Sequence, residues 1–153
     1  FTQLKLEMPQ NRRPESVLVV IHTPQYECLL LERVSPSGFW QSVTGTLQWS
    51  ESLQEAAVRE VFEETGLDPL GLWDAGICRS FPILPEWADR YAEGVEENTE
   101  HLLYLKIPAT CQITLNPAEH LSYRWEILEK AIQTVASWTN REALERLPHM
   151  SDD

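Results

Sequence analysis

Apolar and polar positions along this chain follow two periods, and each period marks an element. Ser16–Ile21 is a nearly unbroken apolar, β-branched run with no breaker before Pro24, the pattern of a strand buried on both faces. Tyr26–Val34 reads as its partner across a turn containing Thr23-Pro24-Gln25. The loop Ser35-Pro36-Ser37-Gly38 precedes a short strand over Phe39–Val43. The period then changes: Leu53, Ala57 and Val61 recur every four residues, which gives a helix over Ser52–Glu64 one apolar stripe to bury. Ser52 with Glu55 forms a capping box at its start, and Gly66 followed by Pro69 supplies the stop.

Further strands are expected over Gly71–Arg79, Thr99–Ile107 and His120–Trp125, and a helix over Leu128–Ala136. Thr139 with Glu142 is the expected cap of a short last helix. Between these lies Ser80–Asn98, with Pro82, Pro85 and Gly94 among aromatic and acidic residues. It reads as a long irregular connection, and such connections are uncommon unless they cover a site. Strands around one central helix, with more helix at the end, predict an α+β fold. No repeat or linker divides the 153 residues, so one domain is expected over 1–153.

Composition narrows the classes. With 42% hydrophobic and 24% charged residues the chain is no disordered tail, and runs such as Val17–Ile21 and Cys28–Leu31 are too short to span a bilayer. No secretory leader is evident; the chain starts at Phe1, and Met8 is an alternative natural start. Three widely spaced cysteines (Cys28, Cys78, Cys111) exclude a disulfide framework or a cysteine zinc cluster and suit a reducing cytoplasm. The net charge of −12 repels nucleic-acid polymers and anionic membranes. A small phosphorylated partner is compatible with that charge if divalent cations lie between the two sets of anions. The expected state is a monomer.

Candidate chemistry is concentrated in Gly45-Thr-Leu-Gln-Trp-Ser-Glu51 and, seven residues on, Arg59-Glu60-Val61-Phe62-Glu63-Glu64-Thr65-Gly66-Leu67. On a helix Glu60 and Glu64 lie roughly 40° apart around the axis, and Glu63 roughly 60° to the other side of Glu60. The three carboxylates then share one face, where like charges repel unless a hard divalent cation such as Mg²⁺ or Mn²⁺ takes their oxygens as ligands. Arg59 adjoins that face and could hold Glu51 by a bidentate pair. By itself Glu-x-x-Glu-Glu is also the pattern of a solvated acidic surface. A metal-bound water next to a carboxylate would suit attack on a polyphosphate, whose charge otherwise repels nucleophiles.

With every fixed position present, the stretch resembles the signature of the Nudix hydrolases, Gly-x5-Glu-x7-Arg-Glu-U-x-Glu-Glu-x-Gly-U. The resemblance implies an α/β/α sandwich with a mixed sheet, whose central loop–helix–loop binds Mg²⁺ (Mn²⁺ as substitute) and cleaves a phosphoanhydride. It implies metal ligation by Glu60, Glu64 and the Gly45 carbonyl. Glu63 would position or deprotonate the attacking water, bound to the metal through that water, and the Arg59–Glu51 pair would hold loop to helix.

The rest of the chain resembles the branch of that family acting on dihydroneopterin triphosphate in bacterial folate biosynthesis. The matching pieces are Arg13-Pro14, Phe39–Gly45, Arg90-Tyr91-Ala92 with Gly94-Val95, Asn98-Thr99-Glu100, Glu119-His120-Leu121 with Tyr123 and Trp125, and Ser137-Trp138 with Asn140-Arg141. That implies release of pyrophosphate from a pterin triphosphate. Other activities of the class, on (d)NTPs or dinucleoside polyphosphates, stay open, as does a catalytically inactive nucleotide sensor, although such sensors lose box glutamates and none is lost here.

Outside the box, Glu119 is the expected extra metal ligand and catalytic acid, with a surface ion pair as the alternative. His120 reads as a structural histidine rather than a base. Arg13 and Arg33 are expected on the phosphates, since Arg binds them bidentately. Trp40 is the expected aromatic wall for the ring, and Asn98 and Glu100 the readers of its edges. Gln48-Trp49-Ser50 departs from the family pattern, and Trp49 either alters one wall of the pocket or is an incidental surface residue.

Overall fold

The computed structural model describes residues 11–150, so Met8 as an alternative start lies outside the described residues. Seven strands form one mixed sheet. β1 (Glu15–His22) is buried from Val17 onward, as its unbroken apolar run requires. β2 (Glu27–Arg33) follows, but the expected hairpin closes only at His22↔Cys28. Beyond that rung the strands part. β1 takes β4 (Val43–Thr46) as its neighbour over Ser16–Val19. β2 pairs instead with β7 (His120–Ile127) along its length and with β3 (Trp40–Gln41) at its end. The one strand expected over Phe39–Val43 is therefore two, broken at Ser42, whose N–H donates to Asn140 Oδ1 at 2.8 Å instead of to a strand.

On its other side β1 runs parallel to β6 (Glu97–Lys106), which pairs antiparallel with β5 (Trp73–Pro82). β5 extends past the expected Arg79 to Pro82, and its pairing shifts register near its start, between Asp74 and Ile77, where Gly76 takes φ 73°. The connection after it is shorter than expected and holds a 3₁₀ turn over Pro85–Arg90.

Strand parity distributes the core between two faces. Val17, Val19, Ile21, Leu29 and Leu31 pack under helix α1 (Leu53–Thr65). Leu18, Val20, Leu30 and Tyr104 pack under α2 (Leu128–Thr134) and α3 (Trp138–Arg146). The result is the α/β/α sandwich of an α+β fold. α1 starts on the expected capping box, Ser52 accepting from Glu55 N, and ends at Gly66 with φ 74°. α3 is capped by Ser137, which accepts from Asn140 N, and not by Thr139, the residue expected from sequence; Thr139 already lies inside the helix. Among the described residues no helix is long and apolar enough to cross a membrane.

Candidate active site

The parting of β1 and β2 leaves room for the loop after β4 and for α1 to bring acidic side chains to one end of the sheet. The apolar stripe of α1 turns Ala57 and Val61 into the core and carries Glu60 and Glu64 in with them. Glu60 is 7% exposed and Glu64 2% exposed, whereas the Glu63 side chain is half exposed. The three carboxylates thus divide between an inward pair and one outward member. Gly45 makes the inward position of Glu60 possible: a Cβ there would stand 1.6 Å from Glu60 Oε2.

Arg59 joins the loop to the helix. Its Nε and Nη2 donate to the two Glu51 oxygens at 2.6 and 2.8 Å, and Nη2 also donates to Thr46 O at 3.1 Å. Nη1 reaches Glu60 at 2.7 Å and Glu63 at 3.0 Å. The hydrogen bonds from Arg59 hold the Glu51 carboxyl below its ordinary range. Glu60 shifts the opposite way. Burial, opposed by Arg59 and reinforced by Glu64 and Glu63, pushes its carboxyl up to about 8.

The rest of the cluster comes from far along the chain. Glu119 precedes β7, and its carbonyl accepts from Val34 N at 2.9 Å, which fixes it beside the end of β2. Atoms of Glu64, Glu119 and His120 lie within 4.8 Å of one another. Burial, then the neighbouring Glu64 carboxylate, raises the Glu119 carboxyl, while His120 and Arg33 lower it. Glu64 Oε2 and His120 Nδ1 are 2.7 Å apart and both buried, yet neither completes an aligned hydrogen bond. On its other side the His120 ring is 3.3 Å from Gln41 Nε2. Crowded carboxylates with a buried lone pair left over are the donor set of a hard divalent cation, which prefers oxygen ligands and accepts imidazole in its softer members. The residues therefore fit such an ion.

Sequence reasoning left His120 and Gln41 out of the site. The adjacency of His120 to Glu119 was the available signal; nothing in the sequence marked Gln41, which arrives through the β2–β3 pairing. Arg33 lies near Glu119 and donates Nε to Ser35 O at 2.9 Å.

Four expectations are corrected. Arg13 is not free for phosphate: Nη1 donates to Gln48 O and Glu51 O, both at 2.9 Å, and Nε donates to Glu15. It braces the loop. Trp40 is 9% exposed, on the α2–α3 face, with the Arg124 guanidinium 4.0 Å over its ring, because its pairing with Glu32 turns it away from α1. Asn98 is buried and donates to Ser16 Oγ at 2.9 Å. Glu100 is half-buried on the same face, where burial raises its carboxyl and a bond from Thr139 of α3 lowers it. Both side chains are thus engaged on the α2–α3 face, opposite the carboxylates of α1.

The family model described as NUDIX domain matches residues 12–147. The dihydroneopterin triphosphate diphosphatase of Escherichia coli (strain K12) is 39% identical over 140 residues, covering 88% of this chain and 92% of that protein. The same-named protein of Haemophilus influenzae is 33% identical over 144 residues, 91% of this chain and 90% of that one. Among solved structures, the E. coli dihydroneopterin triphosphate pyrophosphohydrolase superposes with a TM-score of 0.81 at 38% identity, covering 89% of this chain and 95% of that one.

Proposed function

The chain belongs to the NUDIX domain family, and from that premise we propose that it is a divalent-cation-dependent pyrophosphohydrolase that converts dihydroneopterin triphosphate to dihydroneopterin monophosphate and pyrophosphate. The observation that carries the chemistry is the cluster of Glu64, Glu119 and His120, within 4.8 Å of one another and holding unpartnered buried atoms. The substrate follows the near full-length likeness to the E. coli and H. influenzae diphosphatases.

Glu60, Glu64 and Glu119 would hold the cation, Mg²⁺ in this reading with Mn²⁺ able to replace it, together with the Gly45 carbonyl. When bound, the ion screens phosphate oxygens and eases ionisation of water. The chain does the rest. Glu63, outward and 3.0 Å from Arg59, would accept a proton from an attacking water. Arg33, whose charge reaches Glu119, is the cation for the phosphate chain. Arg59 and Glu51 keep the loop and helix in one geometry, so that no reorganisation is needed when the substrate arrives. In this reading it acts as a monomer on a small phosphorylated substrate; free Cys28, Cys78 and Cys111 suit a reducing cytoplasm, and a charge of −12 suits a substrate screened by cations.

The test is a Mg²⁺-dependent comparison of kcat/KM for dihydroneopterin triphosphate, the common NTPs and diadenosine polyphosphates. Phosphorus NMR of the products in ¹⁸O water should find the monophosphate and intact pyrophosphate. Release of orthophosphate alone, or a dinucleoside polyphosphate preferred by about tenfold or more, would overturn the assignment.

A further inference from the structure

The corrected positions of Trp40, Asn98 and Glu100 leave the substrate's ring without a seat. A different tryptophan is open. Trp49, in the loop between Gly45 and Glu51, is 54% exposed. Its indole N–H donates to Asn11 O at 2.6 Å, and its own carbonyl accepts from Arg13 at 3.4 Å. The indole is thus pinned at its edge while much of the side chain stays in solvent, an arrangement that suits a stacking platform better than a packing residue.

Trp49 is one wall of a groove of about 620 Å³, whose other walls include Arg12, Gln48, Asp89 and Arg90. The size falls within the range of small-molecule sites, about 300–1,000 Å³. Arg12 N–H donates to Arg90 O at 2.7 Å, so the N-terminal segment and the end of the 3₁₀ turn are fastened into one rim. In a chain with 12 basic against 24 acidic side chains, Arg12, Arg13 and Arg90 all meet here. Arg13 is engaged with the loop, but among the described residues neither Arg12 nor Arg90 makes an ion pair; Arg90 lies 5.5 Å over the Trp87 ring. The loop that walls the groove also ends in Glu51, the partner of Arg59. Trp49 is four residues from Gly45, which limits the separation of their Cα atoms to about 14 Å. Glu60, packed against Gly45, is then within reach of a ring in this groove whose side chain and triphosphate extend together.

We propose that this groove seats the heterocycle of the substrate. Trp49 stacks on the ring, Asp89 accepts the adjacent N–H groups of a 2-amino-4-oxo pyrimidine edge, and Arg12 and Arg90 draw the anionic chain toward the carboxylate helix. This rests on the reading that the substrate is a ring bearing a triphosphate. It goes further by naming the residues that seat the ring and the edge they read, which pterin and guanine carry and adenine does not.

Steady-state kinetics of wild type, Trp49→Ala, Trp49→Phe and Asp89→Asn on dihydroneopterin triphosphate, GTP and ATP test it. Trp49→Ala should raise KM for the pterin about 10- to 100-fold with kcat nearly unchanged, and Trp49→Phe should recover most of that loss. Asp89→Asn should reduce the preference for the pterin and GTP over ATP by about tenfold, with ATP turnover held. Should Trp49→Ala melt early, the Phe and Asn variants carry the test. A wild type that prefers the pterin, with KM and preference unmoved in every variant, overturns the groove and spares the substrate. A wild type that prefers a different triphosphate removes the substrate assignment, and the groove then falls if Trp49→Ala leaves the KM for that compound unchanged.

Discussion

On the face of the sheet covered by α2 and α3, buried polar groups pair with one another. Asn140 accepts from Ser42 N at 2.8 Å and donates to Ser42 Oγ at 3.0 Å, Asn98 donates to Ser16 Oγ, and the Tyr104 hydroxyl donates to Ala143 O at 2.7 Å. On the face covered by α1, the acidic Glu60 and Glu64 are as deeply buried, and Glu64 meets Glu119 and His120. Three buried side-chain atoms among the described residues lack an aligned partner, and two of them, Glu64 Oε2 and His120 Nδ1, touch each other here. These pairs on the first face are neutral and mutually satisfied and help to specify the fold, although Arg146 Nε of α3 is the third atom without a partner. The second gathers acidic side chains of which Glu60 pairs with Arg59, while Glu64 and His120 are left without aligned partners, which favours stability least and ligand binding most.

Substitutions on the two faces should therefore fail in opposite ways. Glu60→Gln and Glu64→Gln should each cut turnover by at least about 100-fold, while the metal-free melting temperature holds or rises, because a like charge leaves a repulsive group. Rates and circular dichroism melts check both halves; a variant that unfolds, or one with near-normal turnover, breaks the contrast. Glu119→Gln should lower kcat by about tenfold or more with little change in melting. Raising Mg²⁺ or Mn²⁺ should recover part of the loss if Glu119 is a ligand, and none if it only moves protons. Normal turnover at every metal concentration would make it an incidental surface carboxylate.

Asn140→Ala should do the reverse. It strands Ser42 N–H and its hydroxyl in the core, at a cost of about 1–3 kcal/mol in stability, yet the variant should turn over normally at temperatures where it remains folded. Urea titration measures the first effect and kcat the second.

The smallest effect separates the faces by pH. Without divalent cation, the Glu60 carboxyl is raised to about 8 from an ordinary 4.5. Between those values the folded chain holds a proton that the unfolded chain has released, so the stability from Glu60 is fully present below 4.5 and is lost as pH rises through 8. In chelator, the melting advantage of Glu60→Gln over wild type should grow from pH 5 to 8. A constant difference would mean that burial does not raise the Glu60 carboxyl into this window.

Local chemistry was legible in the sequence because it depends on residues a few positions apart. The Ser52–Glu55 box, the Gly66 stop and the Arg59–Glu51 pair all close within eight residues or fewer. Strand partners and side-chain faces were less legible. The direction of Trp40 is set by its rung with Glu32, and a slip of one position would have turned it toward α1. Arg13 illustrates another limit: a guanidinium suits carbonyl oxygens as well as phosphate, and only the course of the loop decides between them. The α3 cap moved from Thr139 to Ser137 because both are hydroxyl residues and the helix begins at Trp138.

The span of these contacts also bears on the order in which the chain folds. Arg59 and Glu51 are eight residues apart, whereas Gln41 and His120 are separated by 79. Short loops close in about 10–100 ns, and distant pairings wait on the growth of the sheet. During synthesis the loop and helix that carry Glu51, Arg59, Glu60 and Glu64 can thus take shape while β7 is still unmade, as an acidic helix with no wall. The arrival of His120 and Glu119 completes the site on that helix, so a chain halted before β7 should retain helix-forming tendency with weaker metal affinity than the whole chain.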